Sequence, residues 1–196
     1  MGKKIIVFCS SPNKNGNTNT VVEWVSQGAR QAGAEIDIVD TARLKYKTIG
    51  CVACMGCQRS DAYACVIDDE ATPVLSRIPQ YDVSVFATPV YMMGPTAQTK
   101  VFGDRMFSLF KFDAAGTFTH PFKKGSAIGL IATSGAGKSV SGIKMVRKTF
   151  QAMAGLTGQE FHSLLVPDAG ESGAVRKNEN VKAKAIAFGR KIAKAS

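Results

Sequence analysis

The sequence predicts an α/β protein built on a five-stranded, doubly wound parallel sheet. Three observations carry that prediction. Short continuous apolar runs recur along the chain, too short for helices and rich in β-branched residues, as in strands buried on both faces. Stretches with apolar residues at helical spacing separate the runs, the alternation expected of a parallel sheet covered on both sides. Several runs break abruptly into polar, Gly- and Pro-rich turns, and in such sheets ligands gather at the carboxyl ends of the strands.

Taken in order, Ile5-Ile6-Val7-Phe8-Cys9 reads as the first strand. The polar run from Ser10 to Asn17 follows, and from Thr18 the spacing of Val21, Val22, Val25, Ala29 and Ala32 predicts a helix. Residues 34–40 alternate apolar and acidic positions, a second strand nearer the sheet edge. A Cys-rich segment, about residues 45–68, comes next. Asp68-Asp69-Glu70 then opens a helix with its acids suited to the first turn, and Pro79 stops it after Val74, Leu75 and Ile78. Residues 83–88 form a third strand, ended by Pro89-Val90-Tyr91-Met92-Met93-Gly94-Pro95. A helical stretch through Lys100, Val101 and Asp104 and a Phe-rich connection lead to the fourth strand, residues 126–133. Ser134-Gly135-Ala136-Gly137 separates it from a helix over about residues 142–153. Residues 160–166 are the fifth strand, and a final helix over about 178–195 sets Val181, Ala185, Phe188 and Ile192 on one face. No repeat or low-complexity linker interrupts this plan, so residues 1–196 are expected to form a single domain.

Composition excludes several classes. The net charge is +10, but the basic residues are spread along the chain and no nucleic-acid motif accompanies them. A basic protein that holds an anionic cofactor or meets an acidic electron-transfer partner accounts for the balance. No apolar run approaches the ~20 residues of a membrane span, and no signal-peptide pattern opens the chain. Neither nucleic acid nor membrane is expected as a partner, and the expected location is the cytoplasm. His120 and His162 stand apart from any acid or nucleophile and read as structural or surface residues, Trp24 as packing, and Cys9 as core.

Two stretches carry chemistry. Strand, polar loop and helix N-terminus between Lys3 and Thr20 make an anion site, because unpaired amides and the helix dipole both favour negative charge there. An ordinary helix cap without a ligand is the alternative. The second stretch is Cys51, Cys54, Cys57 and Cys65, spaced C-x2-C-x2-C-x7-C, which gathers four of the five cysteines within fifteen residues. Such clustering in an intracellular chain points to metal or redox chemistry. Three cysteines at two-residue gaps wrap thiolates around one face of an iron–sulfur cluster, the local logic of bacterial ferredoxins, with the fourth arriving from a short loop. Zinc, a redox dithiol and a vestigial site remain as alternatives. The loop Ala132-Thr133-Ser134-Gly135-Ala136-Gly137-Lys138-Ser139 loosely resembles a triphosphate-binding loop, but it lacks the first Gly and follows the fourth strand.

The run Ser11-Pro12-Asn13-Lys14-Asn15-Gly16-Asn17-Thr18 resembles the phosphate loop of the flavodoxin-like, NAD(P)H-dependent FMN reductase family, with Asn13 where that family usually has Arg. Thr88-Pro89-Val90-Tyr91 resembles its flavin-flanking segment, and Lys100-Val101-Phe102-Gly103-Asp104-Arg105 its K-x-F-x-D-R pattern. Asp104 and Arg105 are read as a structural ion pair. The cysteine spacing, followed by Ile67-Asp68-Asp69, resembles the compact motif of the iron–sulfur flavoproteins. The resemblance implies a sheet in order 2-1-3-4-5 and FMN held by Ser10, Ser11, Asn13, Asn17, Thr18, Pro89, Val90, Tyr91, Met92, Thr133, Ser134 and Gly135. It further implies a 4Fe–4S cluster on Cys51, Cys54, Cys57 and Cys65. Electrons would come from a ferredoxin-like protein or NAD(P)H and pass to a small-molecule acceptor, with no protein residue acting as a general base. In this family the cluster of one subunit lies near the flavin of its neighbour, which implies a homodimer or homotetramer. A cluster-free NAD(P)H-dependent FMN or quinone reductase and a non-enzymatic electron carrier are the rival readings.

Overall fold

The five apolar runs form β1 (Lys4–Cys9), β2 (Glu35–Asp40), β3 (Val83–Tyr91), β4 (Ala127–Thr133) and β5 (Glu160–Val166). In this computed structural model, which describes residues 2–194, they pair in parallel in the order β2-β1-β3-β4-β5. The helices are α1 (Asn17–Gln31), α2 (Ala71–Arg77), α3 (Ala97–Gly103), α4 (Ile143–Thr157) and α5 (Glu179–Lys194). The expected end of the last helix, Ala195, lies outside the described residues.

Because side chains alternate along a strand, β1 feeds two cores. Ile5, Val7 and Cys9 pack with Val21, Val25, Phe188 and Ile192 under α1 and α5. Ile6 and Phe8 pack with Leu75, Phe86, Phe102 and Phe150 under α2, α3 and α4. Cys9 is therefore a core residue: burial pushes its thiol up to about 11, and it donates to Asn19 Oδ1 at 3.1 Å.

Two expectations change in ways that matter for the site. The third strand does not stop at Thr88 but runs to Tyr91 and folds back, with Tyr91 opposite Gly94 and Val90 opposite Pro95. Met92 and Met93 both take positive φ, 44° and 68°, the backbone of a tight two-residue hairpin in residues that disfavour it. Gly142 closes against this hairpin, since a Cβ there would lie 2.5 Å from Met93 Cα. The acids before α2 also do not decorate its first turn, which contains none. Asp69 and Glu70 turn back and accept the N–H groups of Lys47 and Lys45, at 3.0 and 2.9 Å, while Asp69 also accepts the Ala71 N–H at 3.1 Å as the helix begins. They clamp the base of the Cys-rich segment.

Among the described residues, no helix is long and apolar enough to cross a membrane.

Candidate functional site

The carboxyl ends of β1, β3, β4 and β5 open onto a solvent-open cleft, the place where ligands gather in such sheets. Ser11, Asn13, Asn17 and Thr18 line it from the first loop, Pro89, Val90 and Tyr91 from the second, and Thr133, Ser134 and Gly135 from the third. Ser10 and Met92 are not among the lining residues. The Ser10 hydroxyl is taken up beneath the loop by Thr41 Oγ1 at 2.7 Å, while Met92 stands at the hairpin tip, 98% exposed.

A fourth wall, Ala169, Gly170 and Ser172, has no counterpart in the sequence reading. It follows β5, and the turn signal Asp168-Ala169-Gly170-Glu171-Ser172-Gly173, placed at a strand's carboxyl end, could have found it. Asn17 ties it down. Its amide donates to the carbonyls of Ala169 at 3.0 Å and Glu171 at 2.9 Å, and its oxygen accepts the Val175 N–H at 3.2 Å. Asn13 likewise donates to Ser172 Oγ at 2.7 Å. Both side chains thus brace loop against loop.

What remains open toward the cleft is the start of α1. Its N-cap is Gly16, no side chain caps it, and its first turn holds no acid. The first N–H groups of a helix lack intrahelical partners, and here the neighbouring Gly16, Asn17 and Thr18 border the cleft. An anion suits this site by hydrogen bonding and by the helix dipole. Arg43 donates to the Pro12 carbonyl at 3.0 Å and Arg176 to that of Asn15 at 3.4 Å, so two cations hold the loop. Thr18 and Thr133 share a hydroxyl hydrogen bond of 2.7 Å that joins the first and third loops. Tyr91, half-exposed, brings an aromatic ring to the lining of the cleft, the group on which a planar ligand packs. A phosphate-bearing aromatic cofactor therefore fits the donors and shape of the cleft. Lys138 points elsewhere in function: it borders a separate basic groove with Lys144, Arg147 and Lys148.

The four clustered cysteines line a second cavity with Met55, Val66, Arg105 and Ser108. All four thiols are free, Cys51 and Cys54 exposed, Cys57 buried and Cys65 between. Ala53 and Met55 take positive φ, 52° and 55°, so the backbone winds tightly between the first three. Gly56 permits the returning chain to close in, because a Cβ would lie 2.5 Å from Val66 Cγ2. Among the described residues, no three His, Cys, Asp or Glu side chains are arranged to hold one metal ion. Ligands of a polynuclear cluster stand on different irons, and four thiols around one cavity are the donor set such a cluster takes.

Arg105 supports this wall. It is not paired with Asp104, which binds Lys100, but with Asp69 at 2.5 Å, both side chains almost fully buried. It also donates to the Ile67 carbonyl at 3.1 Å and Thr72 Oγ1 at 2.7 Å. Burial opposes its charge, but Asp69 and Cys65 outweigh that and hold its pKa above the ordinary value. His120 packs among Phe110, Phe118 and Phe122, away from both cavities, and His162 sits on β5 beside Glu160.

An iron–sulfur flavoprotein of Methanosarcina thermophila is 31% identical over 102 residues, covering 52% of this chain and 51% of that protein. The chain spans about half the length of the curated relatives it matches. Among solved structures, an FMN-dependent NADH-azoreductase of Bacillus anthracis in complex with FMN superposes with a TM-score of 0.72 at 12% identity, covering 97% of this chain and 99% of that one. An NAD(P)H:quinone oxidoreductase of Methanothermobacter marburgensis gives 0.69 at 13% identity, covering 97% and 94%. These two likenesses establish the shared fold. Residues 3–168, which span all five strands, match the NADPH-dependent FMN reductase family, and the chain is a member of that family of flavin-dependent oxidoreductases.

Proposed function

We propose that the chain is an FMN-dependent redox enzyme that carries electrons from NAD(P)H or a ferredoxin-like protein to a small-molecule acceptor through FMN and a 4Fe–4S cluster. The observation that carries this reading is the convergence of Cys51, Cys54, Cys57 and Cys65 on one cavity, separate from a cleft suited to a flavin mononucleotide. The names of the curated relatives support the pairing of the two cofactors. On this reading the whole chain serves as one FMN-binding domain with a cluster-bearing segment at about 45–68.

Bound FMN exchanges a hydride or two electrons and can release them singly, which couples two-electron and one-electron partners. The chain's part is positional. The amides at the start of α1 and the Thr18 hydroxyl hold the phosphate, Tyr91 with Pro89 and Val90 flanks the ring, and Thr133, Ser134 and Gly135 border its edge. Ser11, Asn13 and Asn17 keep the phosphate loop in shape. Ile49, Val52, Met55 and Val66 leave apolar surface exposed on and around the cysteine segment, which suits burial against a second copy.

Anaerobically purified protein should show flavin bands and a broad absorbance near ~400 nm bleached by dithionite, with about four irons and four sulfides per chain. Flavin without iron, even after reconstitution, would favour the cluster-free reductase. That second reading draws on one observation: no cysteine lines the flavin cleft, so the cleft is complete without them. A colourless protein that refuses FMN would end both.

Thr18→Ala should weaken FMN roughly tenfold or more, the scale of one hydrogen bond to a charged group, and weaken riboflavin clearly less, since riboflavin loses only the support of the Thr18–Thr133 bond. Titrating both ligands by flavin fluorescence checks it. Equal losses would remove the phosphate from this loop.

A further inference from the structure

Arg105 and Ser108 lie three residues apart in the 3₁₀ turn Asp104–Leu109, where side chains at i and i+3 stack on one face. Both residues are buried, 1% and 2% exposed, and both line the cysteine cavity. The terminal nitrogens of Arg105 are engaged by Asp69, Ile67 and Thr72. Among the described residues neither its Nε nor Ser108 Oγ has a hydrogen-bond partner, while Cys65 already lies close enough to the guanidinium to favour its charge. Buried donors are almost always satisfied in folded proteins. Two orphaned donors on one face of one turn, beside four free thiols, point to an acceptor that completes them.

Resting on the cluster reading above, we infer that Arg105 Nε–H and Ser108 Oγ–H donate hydrogen bonds to sulfur of the cysteine-held cluster and set its reduction potential. Reduction adds negative charge to the cluster and its sulfurs, so donors aimed there, one of them cationic, stabilise the reduced form and raise the potential. Neither residue lines the flavin cleft, so the effect is confined to one of the two redox centres.

The test is a redox titration of wild-type and variant protein, reconstituted anaerobically with iron and sulfide. The cluster is followed by its electron paramagnetic resonance signal and FMN by its absorbance. Ser108→Ala should make reduction of the cluster less favourable by up to about tenfold, about 59 mV for a one-electron couple, with the FMN potential unmoved. Ser108→Thr, which keeps the hydroxyl, should stay near the wild-type value. Arg105→Lys should lower the cluster potential further; where it fails to fold, the serine pair decides. A loaded cluster whose potential is the same in Ser108→Ala as in wild type would overturn this assignment and leave the cluster reading standing. Wild-type protein that takes up no cluster would overturn both.

Discussion

Asp69→Asn is expected to lower stability by about 3–5 kcal/mol at neutral pH, the scale for breaking a buried ion pair by removing one partner. The pair is buried on both sides, with side-chain exposures of 2% for Asp69 and 0% for Arg105. The variant leaves a guanidinium stranded in the interior and replaces a charge-assisted hydrogen bond with a weaker one. The loss is a large share of the 5–15 kcal/mol typical of a folded domain. It also acts at a particular place. Asp69 accepts the Lys47 N–H at 3.0 Å ahead of the cysteines and the Ala71 N–H at 3.1 Å behind them, so both ends of the segment loosen together.

The pH dependence of this pair has a definite sign. Burial disfavours the Asp69 carboxylate, but hydrogen bonds from Arg105, Lys47 and Ala71 overcome it and hold the pKa below its usual range. A depressed carboxylate pKa contributes stability that is complete above the unfolded value, about 3.9, and is lost as pH falls through the folded one. Urea denaturation of wild type and variant at pH 7 should show the full gap, and the gap should shrink below about pH 4. In protein stripped of iron, faster labelling of Cys57 and Cys65 by a thiol reagent in the variant would report the loosened segment. A pH-independent gap under 1 kcal/mol would mean that the pair does not clamp it.

The elements that position the cleft were legible because they depend on local pattern. Residues 127–133 are buried at every position, and a strand hidden on both faces reads as an unbroken apolar run. The helix after Gly16 announces itself by apolar spacing, and the switch-point rule directs attention to the loops that follow β1, β3 and β4. What escaped depends on partners distant in sequence. Asp69 and Arg105 are 36 residues apart, and nothing local distinguishes a buried acid from one that decorates a helix start. Asn17 matched the phosphate-loop pattern, yet its side chain is occupied by a loop more than 150 residues away. The Met92-Met93 hairpin carries none of the Asn or Gly that marks such turns, because surrounding structure imposes it against preference. The stacking of Arg105 on Ser108 is invisible at α-helical spacing alone and follows from the tighter winding of the 3₁₀ turn.

The second large effect expected under the proposed cluster is complete and selective: Cys54→Ser should abolish the iron–sulfur absorbance and leave FMN bound at near wild-type affinity. Cys54 is exposed and lines only the cysteine cavity, so the exchange of sulfur for oxygen removes no core contact and reaches no wall of the flavin cleft. Serine is a poor replacement for a thiolate on iron, and in the proposed cluster three remaining cysteines would leave one iron without its protein ligand. Iron should fall from about four per chain to well below one after gel filtration, with the flavin spectrum intact. Thr18→Ala provides the reverse dissociation, with iron retained and FMN weakened, because its hydroxyl bonds Thr133 rather than anything in the cysteine segment. If Cys54→Ser loses flavin along with iron, the cysteines are a folding element on which the cleft depends. If it keeps all its iron, Cys54 is no ligand, and the shared cavity of the four thiols has another purpose.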